Sequence, residues 1–577
     1  MIYHDVVVVG AGLAGLRAAI AVNQKNVNVA VLTKVHPVRS HSGAAQGGIN
    51  AAMGNNPRGG FDSVEKHAFD TIKGADYLAD QPAALKFTTA APGVILELEH
   101  WGCPFSRMGD GRVAQRPFGG AGFPRTCYAA DKTGHVILHT LYEQAVRYEH
   151  ASERDNFKIY DEWMVTRLVI EEGKCRGVIA YHLATGKVEA IMAEAVIFAT
   201  GGAGRVYLPT TNAVISTGLG LAIPYWAGVP MKDMEFVQFH PTTLFPTGIL
   251  MTEGCRGEGG FLTNKDGERF LKNYSDSAKA METAPRDIVA RNMQREINEG
   301  RGVNGNFINL DIRHLGAEKI MERLPGIRDI AMNFVGVDPI TTPIPVRPGQ
   351  HYTMGGIDTD ENGATCVEGF YAAGECACVS VHGANRLGGN SLLETLVFGK
   401  FAGEAAADYV LSKSALKKGD GALKQGLDEE LAKFKRLTES KGTEKAGTIR
   451  DELGRLMAEK VGIFRKEEEL KDAFKEVKNL QKRFENVSVS YSGMKFNQAL
   501  VMALEVEGNL AMAEAIVYGA AVRKESRGSH FRTDFPKRDD ENFLRHTVVT
   551  WDIAEKKMKP SWKPVILGLF EPKERKY

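Results

Sequence analysis

Five short segments of the chain combine titratable side chains with glycine or other small residues. Each histidine or arginine in them, taken alone, has an ordinary explanation as a hydrogen-bonded buried group or a solvated side chain. Five such clusters on glycine-rich loops are better explained as the lining of one site, and their cationic side chains favour an anionic ligand. The segments are 236–243, 251–258, 284–287, 351–356 and 382–391.

A glycine turn near the N-terminus predicts a second kind of site. The pattern G-x-G-x-x-G occupies Gly10, Gly12 and Gly15, between a predicted strand at 5–9 and a predicted helix at 16–23. The pattern alone is a weak signal, because spaced glycines also occur in turns that bind nothing. With a further strand after the helix it becomes a βαβ unit, in which a dinucleotide pyrophosphate meets the helix N-terminus.

The second strand of this unit lacks the acidic residue that usually binds the adenosine ribose, because it ends Leu32-Thr33-Lys34. This absence argues against an ordinary NAD dehydrogenase. Two later apolar strands also run into glycine turns, at Thr200-Gly201-Gly202 and at 369–375, where Glu375 could supply the missing acid. Three such signals indicate a bound dinucleotide, and the long stretch between the last two predicts an inserted domain.

Composition narrows the class of protein. At 577 residues the chain is too long for one hydrophobic core, which predicts three or four compact units. Its 72 basic and 71 acidic residues nearly cancel, so no nucleic-acid partner is indicated. The seven cysteines lack metal or iron–sulfur spacing, which favours reduced thiols in a cytosolic compartment and no metal site. We find no secretory signal and no apolar run near about 18 residues, so we expect no membrane span.

The segment after the βαβ unit, Arg39-Ser-His-Ser with Ala45-Gln-Gly-Gly48, resembles the flavin-attachment segment of the succinate dehydrogenase and fumarate reductase flavoprotein subunits. In that family the histidine is bonded covalently to FAD, and a serine-lysine pair replaces the ribose acid. The resemblance implies covalent FAD on His41, with Thr33 and Lys34 in place of that pair. The cofactor-binding residues that it implies, with the glycine turns, are Gly10, Gly12, Gly15, Thr33, Lys34, Ser40, His41, Ser42, Gly47, Gly48, Thr200, Gly201, Gly202, Glu375, Arg386, Ser391 and Leu392.

The resemblance extends over nearly the whole chain, because the five clusters look like the family's active-site motifs in the family's order. It implies that His240, Thr252, His351 and Arg386 hold the two carboxylates of fumarate or succinate, and that Phe118 lies over the substrate. It also implies that Arg286 is the proton donor or acceptor, and that Glu253 and Arg256 relay protons to it. These residue types suit a diacid, because arginines and histidines can fix both negative ends.

The predicted fold is α/β: a Rossmann-like FAD-binding domain interrupted by a capping domain, then a helical domain and a C-terminal segment. The ranges are 1–238 with 348–410 for the FAD-binding domain, 239–347 for the cap, 411–530 for the helical domain and 531–577 for the C-terminal segment. We also expect a small antiparallel sheet at 157–197, a charged linker and exposed helix at 413–445, an amphipathic helix at 470–484 and a buried helix at 497–522.

Two positions depart from the family pattern. Leu219 stands in Thr217-Gly-Leu-Gly220, where family members often carry an aspartate that contacts the cofactor. Gln46 stands where some fumarate reductases have glutamate and succinate dehydrogenases glutamine, which hints at the dehydrogenase side without setting the direction of the reaction.

A two-electron flavin needs an external electron partner, since the chain itself offers no iron–sulfur or haem ligands. The resemblance implies an iron–sulfur subunit docked on a membrane anchor that binds quinone, with or without haem, and a peripheral position at the cytoplasmic face of the inner membrane. Two alternatives remain: a soluble enzyme similar to L-aspartate oxidase, and a non-catalytic flavin-binding scaffold. The first lacks the attachment histidine, and the second would not need Arg286 and both site histidines.

Overall fold

The computed structural model describes residues 1–56, 61–151, 156–412 and 420–576. Its central sheet is parallel where the βαβ unit was predicted: Val6 pairs with Val29 on one side and with Ala195 on the other. Val6, Val7 and Val8 are fully buried, as expected for a strand covered on both faces. The strands of this sheet are Ile2–Val9, Val29–Thr33, Phe157–Asp161, Trp163–Glu171, Lys174–His182, Lys187–Phe198 and Phe370–Ala372.

The small antiparallel sheet predicted at 157–197 is confirmed in part. Trp163–Glu171, Lys174–His182 and Lys187–Phe198 pair antiparallel, but they extend the central sheet instead of forming a sheet of their own. Phe157–Asp161 does not join them, because it pairs in parallel with Val29–Thr33. The link is Lys187–Phe198, which is 12 residues long and pairs both with the antiparallel strand before it and with Ile2–Val9. Alternation of apolar and polar residues predicts strands but not their neighbours, and this strand is long enough for both partners.

Helices cover the central sheet, and the first of them begins directly after Gly12, so its free N–H groups face the glycine turn. A three-stranded sheet of Ile49–Asn50, Thr126–Cys127 and Gln115–Arg116 lies beside them. Helices that contact the strands of the central sheet include Leu13–Gln24, Thr133–Ala151, Leu219–Trp226 and Asn390–Leu411, whereas Val64–Gly74 packs on Gln81–His100, which in turn packs on Asn390–Leu411.

A second hydrophobic core, with residues from Leu244 to Val346, belongs to the inserted segment, in keeping with the proposed cap at 239–347. Val237–Leu244 leads into this segment and Ile344–Thr353 leads out, and the two strands pair with each other. Phe261–Thr263 and Ile308–Asp311 complete the sheet. Its helices are Gly254–Gly257, Arg286–Asn298, Ala317–Arg323 and Pro325–Val335.

The remaining chain is mainly helical and then returns to the first domain. The helices are Asp420–Glu439, Ala446–Lys460, Glu467–Phe484 and Gln498–Val522, and part of the predicted charged linker, 413–419, lies outside the described residues. Asn497 caps the last of them by accepting from Leu500 N–H at 2.9 Å. Short elements are Phe464–Arg465, Phe531–Arg532 and Asp540–Phe543, and the hairpin Arg545–Asp552 with Lys557–Pro564 joins Met231–Lys232, Gly356–Asp358 and Ala377–Cys378 in one sheet.

Candidate active site

One continuous cavity brings most of the predicted site residues together at the carboxyl ends of the central strands, where α/β sheets usually bind ligands. All predicted cofactor, substrate and catalytic residues line it except Gly15, Gly202 and Arg256, which lie just behind its wall. Residues from the glycine turn, the inserted segment and the segment after it therefore share one space, although they are far apart in sequence.

The glycines at this cavity are required by close approaches of the backbone. Gly10 has φ +107°, and a Cβ there would lie 2.3 Å from the carbonyl oxygen of Ala199. A Cβ on Gly15 would lie 1.8 Å from the carbonyl oxygen of Gly10, so this glycine lets the helix pack against the turn. Gly202 similarly makes room for the carboxylate of Glu375. Gly15 and Gly202 thus shape the cavity without lining it.

The cavity wall fits a dinucleotide. Thr200 Oγ1 and Gln46 Oε1 are buried without a hydrogen-bond partner and belong to residues that line the cavity, so a ligand with polar groups would satisfy them. Ser42 Oγ accepts from the N–H of Leu13 at 3.3 Å, next to the helix N-terminus that is suited to a pyrophosphate. The described residues contain no group of three His, Cys, Asp or Glu side chains that could hold a metal ion.

His41 lies in the wall of this cavity and also borders a second one that it shares with Arg205. Its Nδ1 accepts from the backbone N–H of Ala213 at 3.3 Å, so the neutral ring carries its proton on Nε2. Burial, and then the charge of Arg205, lower the pKa of His41 to about 4. The imidazole is therefore neutral near pH 7, as a ring nitrogen must be before it can form a covalent bond.

Glu375 lies far from the end of the strand Val29–Thr33, where the ribose role predicted for it would place it. The sheet order separates its strand, Phe370–Ala372, from Val29–Thr33 by two other strands, a distance of about 14 Å at normal strand spacing. Its carboxylate accepts from Thr353 N–H at 3.0 Å, and burial raises its pKa to about 7. This position favours a cofactor contact away from the adenosine ribose.

The two predicted substrate histidines face each other across the junction between the inserted segment and the first domain. The rings of His240 and His351 are 4.9 Å apart between centroids. Thr242 N–H lies 3.2 Å from His240 Nδ1, and Thr211 Oγ1 lies 2.8 Å from His351 Nδ1. A neutral ring that accepts there presents an N–H at Nε2. Burial, and then Arg286, lower both pKa values well below the ordinary range.

Two arginines, Arg286 and Arg386, lie beside the two histidines, and we call these four side chains the cage. A glutamine that we did not predict, Gln238, connects the two arginines. Gln238 Oε1 accepts from Arg286 Nη1 at 3.1 Å and from Arg386 Nη2 at 3.0 Å. Arg386 also lies over the ring of Tyr352, 4.4 Å from its centroid, and burial followed by repulsion from Arg286 lowers its pKa to about 9. Gln238 lies in one of the five clusters found in the sequence. Its place two residues before His240, on the same face of a strand, could have indicated that it reaches the site.

The three residues predicted to relay protons form a chain of buried ion pairs. Arg286 Nη2 lies 2.6 Å from Glu253 Oε2, and Glu253 Oε1 lies 3.8 Å from Arg256 Nη2. Burial raises the pKa of Glu253, but Arg286 and Arg256 outweigh it and hold this pKa below its ordinary value. Glu253 Oε1 also accepts from Gly119 N–H at 2.7 Å. Glu253 is therefore an anion held between two cations.

Phe118 lies in the cavity wall between two glycines. A Cβ on Gly47 would be 2.8 Å from Phe118 Cζ, and one on Gly388 would be 3.0 Å from Phe118 Cδ2 and 2.7 Å from Glu253 Oε2. Gly47 was predicted as a cofactor residue. Gly388 was not predicted to have a role, and the structure shows that it leaves room for the side chains of Phe118 and Glu253.

A Rossmann-like sheet carries a glycine cradle, formed by the predicted cofactor-binding glycines, and lies beside arginines that surround a buried glutamate. Together these features define a dinucleotide-dependent oxidoreductase that acts on a small dianion. Comparison with known proteins gives the family. The chain matches the family model "FAD binding domain" over residues 5–392 and the model "Fumarate reductase flavoprotein C-term" over 450–577.

Similar proteins extend over the full chain. A fumarate reductase flavoprotein subunit of Mycobacterium tuberculosis is 45% identical, covering 100% of this chain and 99% of that protein. A succinate dehydrogenase flavoprotein subunit of Rickettsia bellii is 42% identical, covering 98% and 96%. A solved structure of E. coli quinol fumarate reductase superposes with a TM-score of 0.94 at 41% identity, covering 99% of this chain and 98% of that one.

The chain belongs to the family of fumarate reductase and succinate dehydrogenase flavoprotein subunits, and its cofactor is FAD. Within the described residues, no helix is both long and apolar enough to cross a membrane.

Proposed function

We propose that this protein is the flavoprotein subunit of a quinone-linked fumarate reductase or succinate dehydrogenase, which interconverts fumarate and succinate. The observation that carries the proposal is the Arg286–Glu253 pair, 2.6 Å apart, in the same cavity as the dinucleotide glycines. A cavity that bound FAD alone would not need this pair or the two histidines beside it.

The cage residues bind and orient the diacid. Arg386 and the Nε2 protons of His240 and His351 offer charged and neutral donors to carboxylate oxygens, and Thr252 adds a hydroxyl. Phe118 and the surrounding burial exclude water from the space above the ligand, which strengthens these contacts. Fixing both ends restricts the two central carbons to one position relative to Arg286.

Arg286 gives a proton to one carbon in fumarate reduction and takes it back in succinate oxidation. When FAD is bound, it would supply or accept the hydride at the neighbouring carbon. An arginine normally keeps its proton, so Arg286 can act only if the proton is replaced as it leaves. Glu253, in direct contact with Arg286, and Arg256 behind it provide that replacement. The residues that would hold FAD are those of the glycine cradle together with Ser40, Ser42 and Glu375, and we propose covalent attachment through His41.

We further propose the domain ranges 1–238 with 348–410, 239–347, 411–530 and 531–577. The buried second core between Leu244 and Val346 supports the boundaries of the cap. By family membership, the electron partner is an iron–sulfur subunit on a quinone-binding membrane anchor, with or without haem. This would place the chain peripherally, at the cytoplasmic face of the inner membrane.

The experiment uses the purified chain with a chemically reduced viologen as electron donor. We expect fumarate-dependent viologen oxidation, and flavin fluorescence that stays with the polypeptide after denaturation. Arg286→Lys keeps the positive charge but misplaces the proton, so we expect turnover to fall by about 10²- to 10⁴-fold while flavin stays attached. Full turnover in this variant would exclude the mechanism, and flavin released from the wild-type chain on denaturation would favour the oxidase-like alternative.

A further inference from the structure

Lys34 has a partner in a distant part of the chain. It follows the strand Val29–Thr33 and lines the cofactor cavity at the position where a ribose-binding acid is usual. Its Nζ lies 2.5 Å from Glu505 Oε1 and donates to the carbonyl of Ile215 at 3.2 Å. Glu505 belongs to the long helix Gln498–Val522.

The same face of this helix makes two more contacts with the cavity wall. Asn509 Nδ2 donates to the carbonyl of Thr217 at 2.5 Å, and a Cβ on Gly508 would lie 2.9 Å from Leu219 Cα. Thr217 and Leu219 both line the cavity. Positions 505, 508 and 509 are spaced as i, i+3 and i+4, so they form one stripe of the helix.

We propose that Glu505 is a positioning residue of the FAD site, which acts through Lys34 at the adenosine end. An ammonium group has three donors. Glu505 and Ile215 occupy two of them, which directs the third toward a ribose or phosphate oxygen of the cofactor. The helical segment is then part of the cofactor site, and Lys34, held from outside, replaces the acid that Glu375 is too distant to provide.

This arrangement also explains Leu219. Where relatives often carry an aspartate, Leu219 is 7% exposed and packs against Gly508. An apolar residue there closes the wall against the helix.

The inference rests on FAD as the cofactor and is tested by affinity, without turnover. In a His41→Ser background, in which flavin can be removed, FAD, ADP and FMN are titrated by calorimetry into the full-length apoprotein. Glu505→Gln should weaken FAD and ADP binding by at least about tenfold, because a mobile Lys34 no longer presents its donor. FMN lacks the adenosine end, so its affinity should not change.

A matched control is Glu507→Gln on the same helix. Glu507 pairs with Lys433 at 2.6 Å, away from the cofactor cavity, so its removal should leave all three affinities unchanged. Glu505→Asp keeps the carboxylate and should restore most of the ADP affinity. If Glu505→Gln fails to fold, Lys34→Met tests the same contact from the cavity side.

Equal ADP affinities in the Glu505→Gln, Glu507→Gln and background proteins would overturn the inference. So would an equal loss for FMN and ADP, since that reports a general loosening of the site. Neither result bears on fumarate reduction by the wild-type chain, so failure of the inference is distinguishable from failure of the proposed function.

Discussion

At the scale of single residues, the site concentrates positive charge before any substrate arrives. Arg286, Arg386 and Arg256 surround Glu253, and both cage histidines are kept neutral by burial and by these arginines. Gathering like charges costs free energy in the free protein, and a dianion that enters the cage relieves the repulsion. The cage is therefore arranged in advance for its ligand, and binding of the dianion offsets the repulsion between the arginines.

Gln238 gives the first prediction. Its Oε1 accepts from both Arg286 and Arg386, so Gln238→Leu leaves two buried donors without their acceptor and lets the guanidinium groups separate. We expect kcat/KM for fumarate to fall by about 10- to 100-fold. Steady-state kinetics measure this, and Gln294→Leu, on an exposed part of the helix Arg286–Asn298, is the control. Unchanged kinetics in Gln238→Leu would mean that the arginines hold their own positions.

His546 gives the second prediction, and it concerns pH. Burial alone would lower its pKa, but Asp233 at 2.6 Å and then Asp80 at 3.3 Å raise that pKa to about 9. A raised folded-state pKa means that this stabilisation is fully present below about pH 6.5 and is lost as pH rises through about 9. His546→Gln should therefore lower Tm strongly at pH 6 and much less above pH 9.

Thermal unfolding at the two pH values measures this difference. His100→Gln, at an exposed helix end, should leave Tm unchanged at both. A loss of Tm in His546→Gln that is independent of pH would assign His546 to packing rather than to charge.

At the scale of elements, the sequence predicted those whose signal is local. The βαβ unit and the buried helix Gln498–Val522 were predicted within a few residues, because apolar spacing and glycines mark them. Which elements pair or pack with each other depends on residues far apart in the chain, so it was not predicted from local signals. The neighbour of Phe157–Asp161, for example, was missed.

The C-terminal tail gives the third prediction. Arg575 Nη2 lies 2.6 Å from Asp287 Oδ2, and Asp287 follows Arg286 and accepts from Asn385 beside Arg386. Arg575→Ala leaves Asp287 buried with fewer partners, so the turn that carries Arg286 should loosen. We expect lower Tm and a fall in fumarate turnover of about tenfold.

The control is Lys576→Ala, because the side chain of Lys576 is 83% exposed in the same tail. Turnover and melting curves of the two variants should differ clearly. If Arg575→Ala changes turnover and Tm no more than Lys576→Ala does, the tail does not support the active site.

At the scale of the whole molecule, the predicted residues converged, while the residues that hold them were not predicted. Sequence motifs identified His41, the cage and the relay as members of one site, because chemistry restricts which types can serve there. Gln238, Gly388, Glu505 and Arg575 act through contacts between distant segments. Only the fold brings these segments together, so no spacing in the sequence indicates them.

The fourth prediction follows from the two bodies that form the cage. Thr252, Glu253 and Arg286 come from the inserted segment, whereas Phe118 and Arg386 come from the first domain. A bound diacid therefore links them, and malonate at 100 times its Kd should stabilise the folded protein by about 2.7 kcal/mol. Hydrogen exchange should slow around Thr252 and Arg286.

The helix Asp420–Glu439, remote from the cage, serves as the internal reference for this exchange measurement. Arg386→Gln should abolish the protection, because one end of malonate loses its charged partner. Protection that persists in that variant, or that spreads equally to the reference helix, would contradict a link between the two bodies.

The strand that enters the inserted segment carries His240, the strand that leaves it carries His351, and the two strands pair side by side. A swing of the cap would turn about these paired strands as its axis. Both histidines lie on that axis, where a rotation produces the least displacement. One carboxylate of the diacid would then stay bound to the histidines while the cap opens at the far side. Substrate would therefore enter, and product leave, one end at a time.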